Sequence, residues 1–232
     1  MLILAKDTIF CIFVSWEYHL GIEAPVRSRA NALSACAHTW YSNNVKSREY
    51  VLMETMEHPL AKFAYCPVCG AREFVVNNEK SKRCERCGFV YFFNPSAATV
   101  AVIVNEKNEL LAVRRAKEPA KGTLDLPGGF CDSYECAEEG VAREVLEETG
   151  LQVKDVKFLF SLPNVYPYSG FNVHTVDLFF MCTVDTMENA KAMDDAAELM
   201  WLPWHEIQAE DFGLDSIRMG VKTLLLKKNL NI

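Results

Sequence analysis

The sequence has no apolar run near the roughly 20 residues that a membrane-spanning helix needs. The closest stretch, Thr8 to Trp16, is too short and is followed at once by Glu17. Acidic residues flank it, and only Lys6 could form a positive leader region, which argues against a secretory signal peptide. Internal repeats and low-complexity tracts are also missing. We therefore expect a globular protein with no membrane partner.

The chain also lacks an excess of positive charge. It carries 24 Lys and Arg against 31 Asp and Glu, for a formal net charge of −7. Proteins that bind nucleic acid neutralise phosphates with Lys and Arg, so this balance argues against nucleic acid as a partner, although a local basic groove stays compatible with it. With 232 residues, half of them hydrophobic, the chain can form one large or two small globular domains.

Cysteine, in contrast, is abundant, with nine residues, an odd number that cannot all pair. Four of them form two C-x-x-C pairs, and in a reducing compartment such pairs indicate metal binding rather than disulfides. This usage predicts a cytoplasmic enzyme. The others show no ligand spacing, and we interpret them as incidental: Cys11, Cys36, Cys131, Cys136 and Cys182.

The two C-x-x-C pairs predict a structural zinc site. Cys66 pairs with Cys69 and Cys84 with Cys87, with fourteen residues between the pairs and a glycine after each. Thiolates at this spacing suit tetrahedral Zn²⁺, and four protein ligands leave no open position for water. A redox role is the main alternative. A ribbon that binds nucleic acid is a further possibility, and a solvated hairpin tip is the simpler interpretation. The basic residues on which the first depends are Lys80, Lys82, Arg83 and Arg86.

Residues 1–56 differ from the rest because they show no sustained hydrophobic period of 2 or 3.6. We expect the folded protein to begin near Met53 or Met56. The preceding segment is interpreted as a poorly defined extension, either disordered or the product of an upstream start site. The alternative is a small helical subdomain.

Downstream of Pro95 the pattern predicts strands interleaved with two main helices. Pro127 and the two glycines after it interrupt the strands, and Gly150 is suited to ending the first helix. We therefore expect a mixed sheet packed between helices. The predicted strands are 97–104, 110–114, 123–126, 156–162, 173–184 and 199–202, and the predicted helices are 135–149 and 214–228.

The first predicted helix carries three glutamates on one face. At about 100° per residue, Glu144, Glu147 and Glu148 fall within one arc, and the apolar residues occupy another. Their mutual repulsion costs about a few tenths of a kcal/mol per pair. Mg²⁺ would offset it, because Mg²⁺ takes oxygen ligands and bridges carboxylates to phosphates. Arg143 can orient Glu147 from four residues away. The alternative is a solvated acidic face.

The stretch from Gly129 to Leu151 resembles the Nudix box, G-x5-E-x7-R-E-U-x-E-E-x-G-U with U apolar, and it meets every fixed position. The resemblance implies an α/β fold, the Nudix α/β/α sandwich with a mixed sheet, preceded in this chain by a small four-cysteine zinc ribbon. It also implies an enzyme that hydrolyses a diphosphate linkage, with metal ions that hold phosphate oxygens and activate water.

The same resemblance assigns roles to individual residues. Gly128 and Gly129 resemble the glycine-rich approach that lets backbone atoms come close to metal and substrate phosphate. The implied ligands of Mg²⁺ or Mn²⁺ are Glu144, Glu147 and Glu148, with Glu135 and Arg143 in support.

The resemblance does not assign the general base to one residue, because some relatives use a glutamate of the helix and others an acidic residue of a later loop. Asp194, Asp195 and Glu198 precede the end of the strand predicted at 199–202. We predict Glu198 as an additional ligand or the base. A solvated loop is the alternative.

A four-cysteine ribbon directly ahead of a Nudix domain resembles the NADH pyrophosphatase branch, from about Phe63 to the C-terminus. That branch carries S-Q-P-W-P-F-P-x-S after the box, and residues 161–169 read S-L-P-N-V-Y-P-Y-S. Leu162 and Asn164 replace Gln and Trp, which leaves nicotinamide specificity open while the segment is predicted to be a substrate loop. A plain turn is the alternative. The residues predicted to stack on a base are Tyr166, Tyr168 and Phe171.

Three functions remain. The first is a pyrophosphatase acting on NAD(H), ADP-ribose or a similar dinucleotide. The second is a house-cleaning nucleoside triphosphate pyrophosphatase. The third is a non-catalytic nucleotide-sensing regulator whose ribbon binds nucleic acid or protein, although the intact glutamate set speaks against it. The expected organisation is an extension at 1–56, a zinc ribbon at 63–94 and a Nudix domain at 95–232. We also expect a homodimer, because relatives with this ribbon are often homodimers.

Overall fold

The computed structural model describes residues 58–187 and 190–229, so the extension predicted for residues 1–56 lies outside the described residues. By its internal contacts the chain divides into Met1–His58 and Pro59–Ile232, and the elements below belong to the second unit. No helix in the described part of the chain is both long and apolar enough to cross a membrane.

The cysteine-rich segment folds as a small three-stranded antiparallel sheet. Its strands are β1 (Phe74–Asn78), β2 (Ser81–Cys84) and β3 (Val90–Phe92), in the order β1-β2-β3. The turn between β1 and β2 is fixed by Asn78, whose Oδ1 accepts hydrogen bonds from the Lys80 amide and the Ser81 hydroxyl. The buried core of this sheet is small and consists of Cys66, Ala71, Phe74 and Cys84. Because so small a core stabilises a fold only weakly, the sheet depends on its cysteines for stability.

The remainder forms two sheets and two helices. One sheet has the order β7-β4-β9-β8 and is mixed because β4 runs parallel to β9; the other has the antiparallel order β10-β5-β6. The elements are β4 (Ser96–Val102), β5 (Glu109–Arg115), β6 (Leu124–Asp125), β7 (Gly128–Phe130), α1 (Ala137–Thr149), β8 (Val153–Tyr168), β9 (Phe171–Val184), β10 (Ala196–Pro203), a short 3-10 helix (Ala209–Asp211) and α2 (Asp215–Asn229).

The mixed sheet is the middle layer between the two helices. Successive side chains of β4 point to opposite faces: Val100 and Val102 join the core cluster that contains residues of α2, while Ala101 and Ile103 join the one that contains residues of α1. A strand buried on both faces reads as a continuous apolar run, which is the pattern of residues 97–104. The predicted mixed sheet between helices is confirmed.

Helix α1 begins after Cys136, two residues later than predicted, and ends at the predicted Gly150. The Glu139 carboxylate accepts a hydrogen bond of 2.8 Å from the backbone N–H of Cys136 and so satisfies one free donor at the helix start. Gly150 adopts a left-handed conformation with φ 68° and donates its N–H to the Leu146 carbonyl. This conformation is the reason a glycine ends the helix.

Residues 161–169 were predicted to form a substrate loop, but the chain up to Tyr168 continues strand β8. β8 continues to Tyr168 and pairs with β9 up to Tyr168 opposite Phe171, with the turn at Ser169 and Gly170. This segment contains Pro163 and Pro167. They fit a strand because β8 lies at the edge of its sheet, where proline removes no ladder hydrogen bond.

Candidate functional site

A cleft of about 330 Å³ opens where the two sheets, α1 and the start of α2 meet. Two cationic residues, Arg115 and Lys117, line it against eight carboxylates. Such a surplus of negative charge suits bound cations, which relieve the repulsion between the carboxylates. The carboxylates are those of Asp125, Asp132, Glu144, Glu147, Glu148, Asp177, Asp194 and Asp195.

Arg143 organises the glutamates of α1. Its Nη1 lies 2.9 Å from Oε1 of Glu144 and 3.0 Å from Oε2 of Glu147, the contact foreseen from their four-residue spacing. Its Nη2 lies 2.7 Å from Oε1 of Glu135 and donates to the Phe130 carbonyl. The hydrogen bond to Glu135 raises the pKa of Arg143 above its ordinary value, and Arg143 in turn lowers the pKa of Glu135. A planar guanidinium can serve several carboxylates at once, which fixes their directions.

Glu148 is the most enclosed of the three helix glutamates. Its residue is 8% exposed, and its Oε2 accepts a hydrogen bond of 3.1 Å from the backbone N–H of Gly128. Burial raises its pKa to about 8, and burial also raises the pKa of Glu144. A carboxylate that is costly to ionise when buried becomes a favourable ligand once a cation is beside it.

Two glycines bring the backbone against this cluster. A methyl group at Gly129 would lie 2.6 Å from Oε1 of Glu144, and one at Gly128 would collide with the carbonyl oxygen of Thr99. Gly128 also has φ 154°, which side-chain-bearing residues rarely adopt. Gly128 therefore has no room for a side chain beside β4, and Gly129 leaves the space that the Glu144 carboxylate occupies.

Arg115 and Asp125 form a second ionic centre in the cleft, which sequence reasoning missed. Arg115 Nη1 lies 2.5 Å from Oδ2 of Asp125, and its Nη2 donates to the hydroxyl of Tyr166 at 3.3 Å. The nearby charge of Asp125 offsets the burial of Arg115 and raises the pKa of the guanidinium. The arginine thus holds Tyr166 at the cleft wall, where Tyr166 also meets the edge of the Phe130 ring.

Asn164, Thr175 and Asp177 also line the cleft, and sequence reasoning gave none of them a site role beyond noting Asn164 as a departure. Asp177 is 4% exposed and accepts hydrogen bonds from the hydroxyls of Thr175 and Ser216, both at 2.5 Å. Asn164 lies directly opposite Thr175 in the β8–β9 pairing. The only sequence signal was the alternation of side chains along β8, which places Asn164 and Tyr166 on one face.

Several predicted site residues lie elsewhere. Tyr168 is 65% exposed and stacks on Tyr166 beyond the cleft wall. Phe171 packs against Phe63 and Phe93 instead of lining the cleft.

Glu198, predicted as a ligand or base, is also not among the residues that line the cleft. It lies on β10 opposite Arg114, with its Oε2 3.0 Å from Arg114 Nε. The acidic residues of that region that do line the cleft are Asp194 and Asp195, and both pair with Lys117.

The four predicted zinc ligands come together. Their sulfur atoms all lie within 4.8 Å of one another, with 3.7 Å between Cys66 and Cys87 and 3.6 Å between Cys69 and Cys84. Four Zn–S bonds of about 2.3 Å in a tetrahedron place the sulfurs about 3.8 Å apart, so this cysteine set fits Zn²⁺. Within residues 58–187 and 190–229 no other group of potential ligands is gathered so closely; Glu144 and Glu147 pair with Arg143, and Glu148 accepts from the Gly128 N–H.

Comparisons with known proteins agree with this geometry. The model of the NUDIX domain matches residues 94–219. The NAD-capped RNA hydrolase NudC of Vibrio parahaemolyticus is 31% identical over 112 residues, which are 48% of this chain and 42% of that protein. The ADP-ribose pyrophosphatase of Methanocaldococcus jannaschii is 38% identical over 109 residues, which are 46% of this chain and 61% of that protein. The chain thus spans about half the length of these curated relatives.

A solved structure shows the same fold. The crystal structure of a NUDIX hydrolase from Nitrosomonas europaea superposes with a TM-score of 0.56 at 22% identity, and the match covers 71% of this chain and 92% of that one.

Proposed function

The chain belongs to the Nudix family, and from that premise we propose that it is a metal-dependent pyrophosphatase that cleaves the diphosphate linkage of NAD(H), ADP-ribose or a similar nucleoside diphosphate derivative. The observation that carries the proposal is the meeting of Glu144, Glu147 and Glu148 with two glycines at one cleft. The names of the curated relatives, an NAD-capped RNA hydrolase and an ADP-ribose pyrophosphatase, support a dinucleotide or ADP-ribose as substrate.

We assign the catalytic cations to the helix glutamates. Glu144, Glu147 and Glu148 would hold Mg²⁺ or Mn²⁺, which would supply positive charge for the phosphate oxygens and would lower the pKa of a bound water. The protein's own part is orientation. Arg143 directs Glu144 and Glu147, the Gly128 N–H directs Glu148, and Tyr166 offers a ring on which a base can stack.

For the general base, the cleft supports Asp194 or Asp195 in place of Glu198. Both aspartates line the cleft, and Lys117 holds them there by ion pairs. The Lys191 and Met193 amides donate to the Thr149 and Glu148 carbonyls, which ties this loop to the end of α1. Glu198 is instead engaged by Arg114.

The four-cysteine group is assigned to structural Zn²⁺, because its four thiols leave no coordination position for water. A cytoplasmic location, the homodimer and the absence of a nucleic-acid partner stay predictions of the sequence.

The test is a hydrolysis panel with Mg²⁺ or Mn²⁺ that compares NADH, NAD, ADP-ribose, diadenosine polyphosphates and nucleoside triphosphates, with the released nucleoside monophosphates measured by chromatography. We expect the dinucleotides or ADP-ribose to be preferred, and Glu147→Gln to lower kcat by about a hundredfold or more because it removes a ligand charge. Glu138→Gln is the matched control, since this exposed glutamate of the same helix lies outside the cleft.

Three results would contradict the proposal. Unchanged turnover in Glu147→Gln would remove the catalytic assignment. No turnover of any compound by protein that binds Mn²⁺ would favour the nucleotide-sensing regulator, whereas preference for triphosphates would favour the house-cleaning pyrophosphatase.

A further inference from the structure

We propose that Asn164, Thr175 and Asp177 form a subsite that recognises the nucleoside part of the substrate through its hydrogen-bond donors, with Asp177 as the discriminating residue. We call these three residues the Asp177 subsite. The inference rests on the proposed function, because it names what the same cleft selects. The ligand chemistry is a pair of neighbouring donors, which either a ribose diol or the amino-bearing edge of a base can supply.

The Asp177 subsite is carried by other elements than the catalytic glutamates. Asn164 comes from β8 and the other two residues from β9, whereas the glutamates come from α1. Apolar side chains of Leu214 and Ile217 line the cleft near the start of α2. Apolar side chains beside a few directed polar groups are typical of the part of a pocket that holds an organic ligand rather than its phosphates.

Asp177 is a buried carboxylate without a cationic partner. It forms no ion pair with any residue in the described ranges, unlike its neighbour Asp125, which Arg115 neutralises. Burial of an uncompensated carboxylate costs free energy, which the Thr175 and Ser216 hydroxyls and the N-terminal end of α2 reduce. The two hydroxyls use two of the roughly four acceptor sites of the carboxylate. The remaining sites can accept donors from a ligand.

The neighbours of Asp177 leave this capacity unused. Leu162 lies directly opposite it in the β8–β9 pairing and has no polar group to offer. Asn164, one step further along the same face, makes no side-chain hydrogen bond that involves the described part of the chain. Its amide therefore presents both a donor and an acceptor to the cleft. An aspartate and a free amide together match a ligand edge with two donors and an acceptor.

A purely structural role for Asp177 would tie β9 to α2 through Ser216. The substitution Asp177→Asn separates the two roles. Asparagine has the same shape, accepts from one hydroxyl and donates to the other, so it preserves the tie while it replaces one acceptor by a donor. Asp155→Asn is the matched control, because Asp155 is an exposed strand residue outside the cleft.

The experiment compares three substrates: ADP-ribose, its analogue lacking the adenosine 2′-hydroxyl, and its analogue with hypoxanthine in place of adenine. We expect the wild type to favour ADP-ribose over one analogue by about tenfold or more in kcat/KM, mainly through KM, because a site built for a donor rejects its absence. We expect Asp177→Asn to abolish this ratio while Asp155→Asn keeps it. The 2′-deoxy arm identifies the diol and the hypoxanthine arm identifies the base.

Equal loss for all three substrates in Asp177→Asn, or ratios identical to wild type, would overturn the inference. If this variant does not fold, Asn164→Leu gives the same comparison from the other side of the subsite. Binding of α,β-methylene ADP-ribose and its 2′-deoxy and hypoxanthine forms, measured by calorimetry, does not depend on turnover. Selective binding without hydrolysis would therefore reject the proposed function and keep the subsite.

Discussion

The carboxylate of Glu144 rests against the α-carbon of Gly129, so closely that a methyl group on that glycine would lie 2.6 Å from Oε1. The glycine is not needed there for a turn, because its neighbour Gly128 has the unusual φ. Its role is to leave room for the side chain of a glutamate fifteen residues later in the chain. This contact links strand β7 directly to helix α1.

Gly129→Ala is expected to lower kcat/KM by about a hundredfold with little effect on the melting temperature. The added methyl group displaces the end of a flexible side chain, so the fold adjusts easily while the carboxylate loses its position. Gly122→Ala is the control, since nothing lies within 4 Å of its added carbon, although its φ of 84° brings some strain. Kinetics equal to wild type in Gly129→Ala would contradict the role assigned to Glu144.

Arg143→Lys is expected to lower kcat by about ten- to a hundredfold and to weaken the apparent affinity for Mg²⁺. A lysine ammonium cannot hold Glu135, Glu144 and Glu147 as a guanidinium does. Titration of activity with Mg²⁺ measures both effects. Arg218→Lys is the control, because Arg218 pairs with Asp215 and does not line the cleft, and it should leave both values intact. A change confined to the melting temperature would show that Arg143 has only a structural role.

Glu148 predicts a pH dependence of stability in protein without added Mg²⁺ or Mn²⁺. Its ordinary pKa of 4.5 rises to about 8 in the folded state because of burial. Between these values the folded protein holds a proton that the unfolded chain has lost, so the contribution of Glu148 to stability falls as pH rises through this window. We expect Glu148→Gln to be the more stable form at pH 8 by an amount on the order of a few kcal/mol.

Denaturant unfolding of both proteins between pH 5 and about pH 9 measures this difference. The advantage of Glu148→Gln should grow with pH and should shrink when Mg²⁺ is added, because the cation stabilises the ionised carboxylate of the wild type. A difference that does not vary with pH would show that burial does not control this carboxyl group.

Cys84→Ser is expected to lose most of one zinc equivalent per chain and to expose the ribbon to proteolysis. The buried thiolate is one of four that fit the ion, and the ribbon has too small a core to remain folded without it. Elemental analysis and limited proteolysis provide the two readouts. A variant that retained a full equivalent of zinc would contradict the assignment.

Cys136→Ser is expected to keep its zinc and to gain about 0.5–1 kcal/mol of stability. Cys136 is exposed at the N-cap of α1, and serine is among the preferred residues at this position. Chemical denaturation measures the gain. The same variant serves as the cysteine-to-serine control for Cys84→Ser, and loss of zinc from it would indicate a different ligand set.

The features that the sequence predicted are local in the chain. The glutamate face of α1, its end at Gly150 and the four cysteines depend on spacings that a helix or a tight turn fixes on its own. Strands β4 and β9 of the mixed sheet were found within a few residues because their apolar runs are continuous, whereas β7 was predicted as an interruption and β8 extends six residues beyond its predicted end.

The features that the sequence did not predict depend on strand register. Asn164 meets Thr175 because the two lie opposite one another, and Arg115 reaches Asp125 diagonally because Asp125 lies opposite Val113, two residues before the arginine. A shift by one residue would turn every side chain to the other face, and periodicity alone does not set that shift. Glu198 shows the same difficulty, since β10 extends back to Ala196 and places this glutamate opposite Arg114.

The packing of Phe171 determines how far the chain can be shortened from its N-terminal side. Its ring is covered by Phe63 and Phe93, and both precede the matched family domain at residue 94. A gene shortened to that boundary would keep Glu144, Glu147 and Glu148, yet the tip of the β8–β9 hairpin would lose its apolar cover. The same hairpin carries Asn164 and Tyr166. The smallest fragment suitable for expression therefore starts ahead of the cysteines, because Phe63 and Phe93 support the hairpin that carries Asn164 and Tyr166.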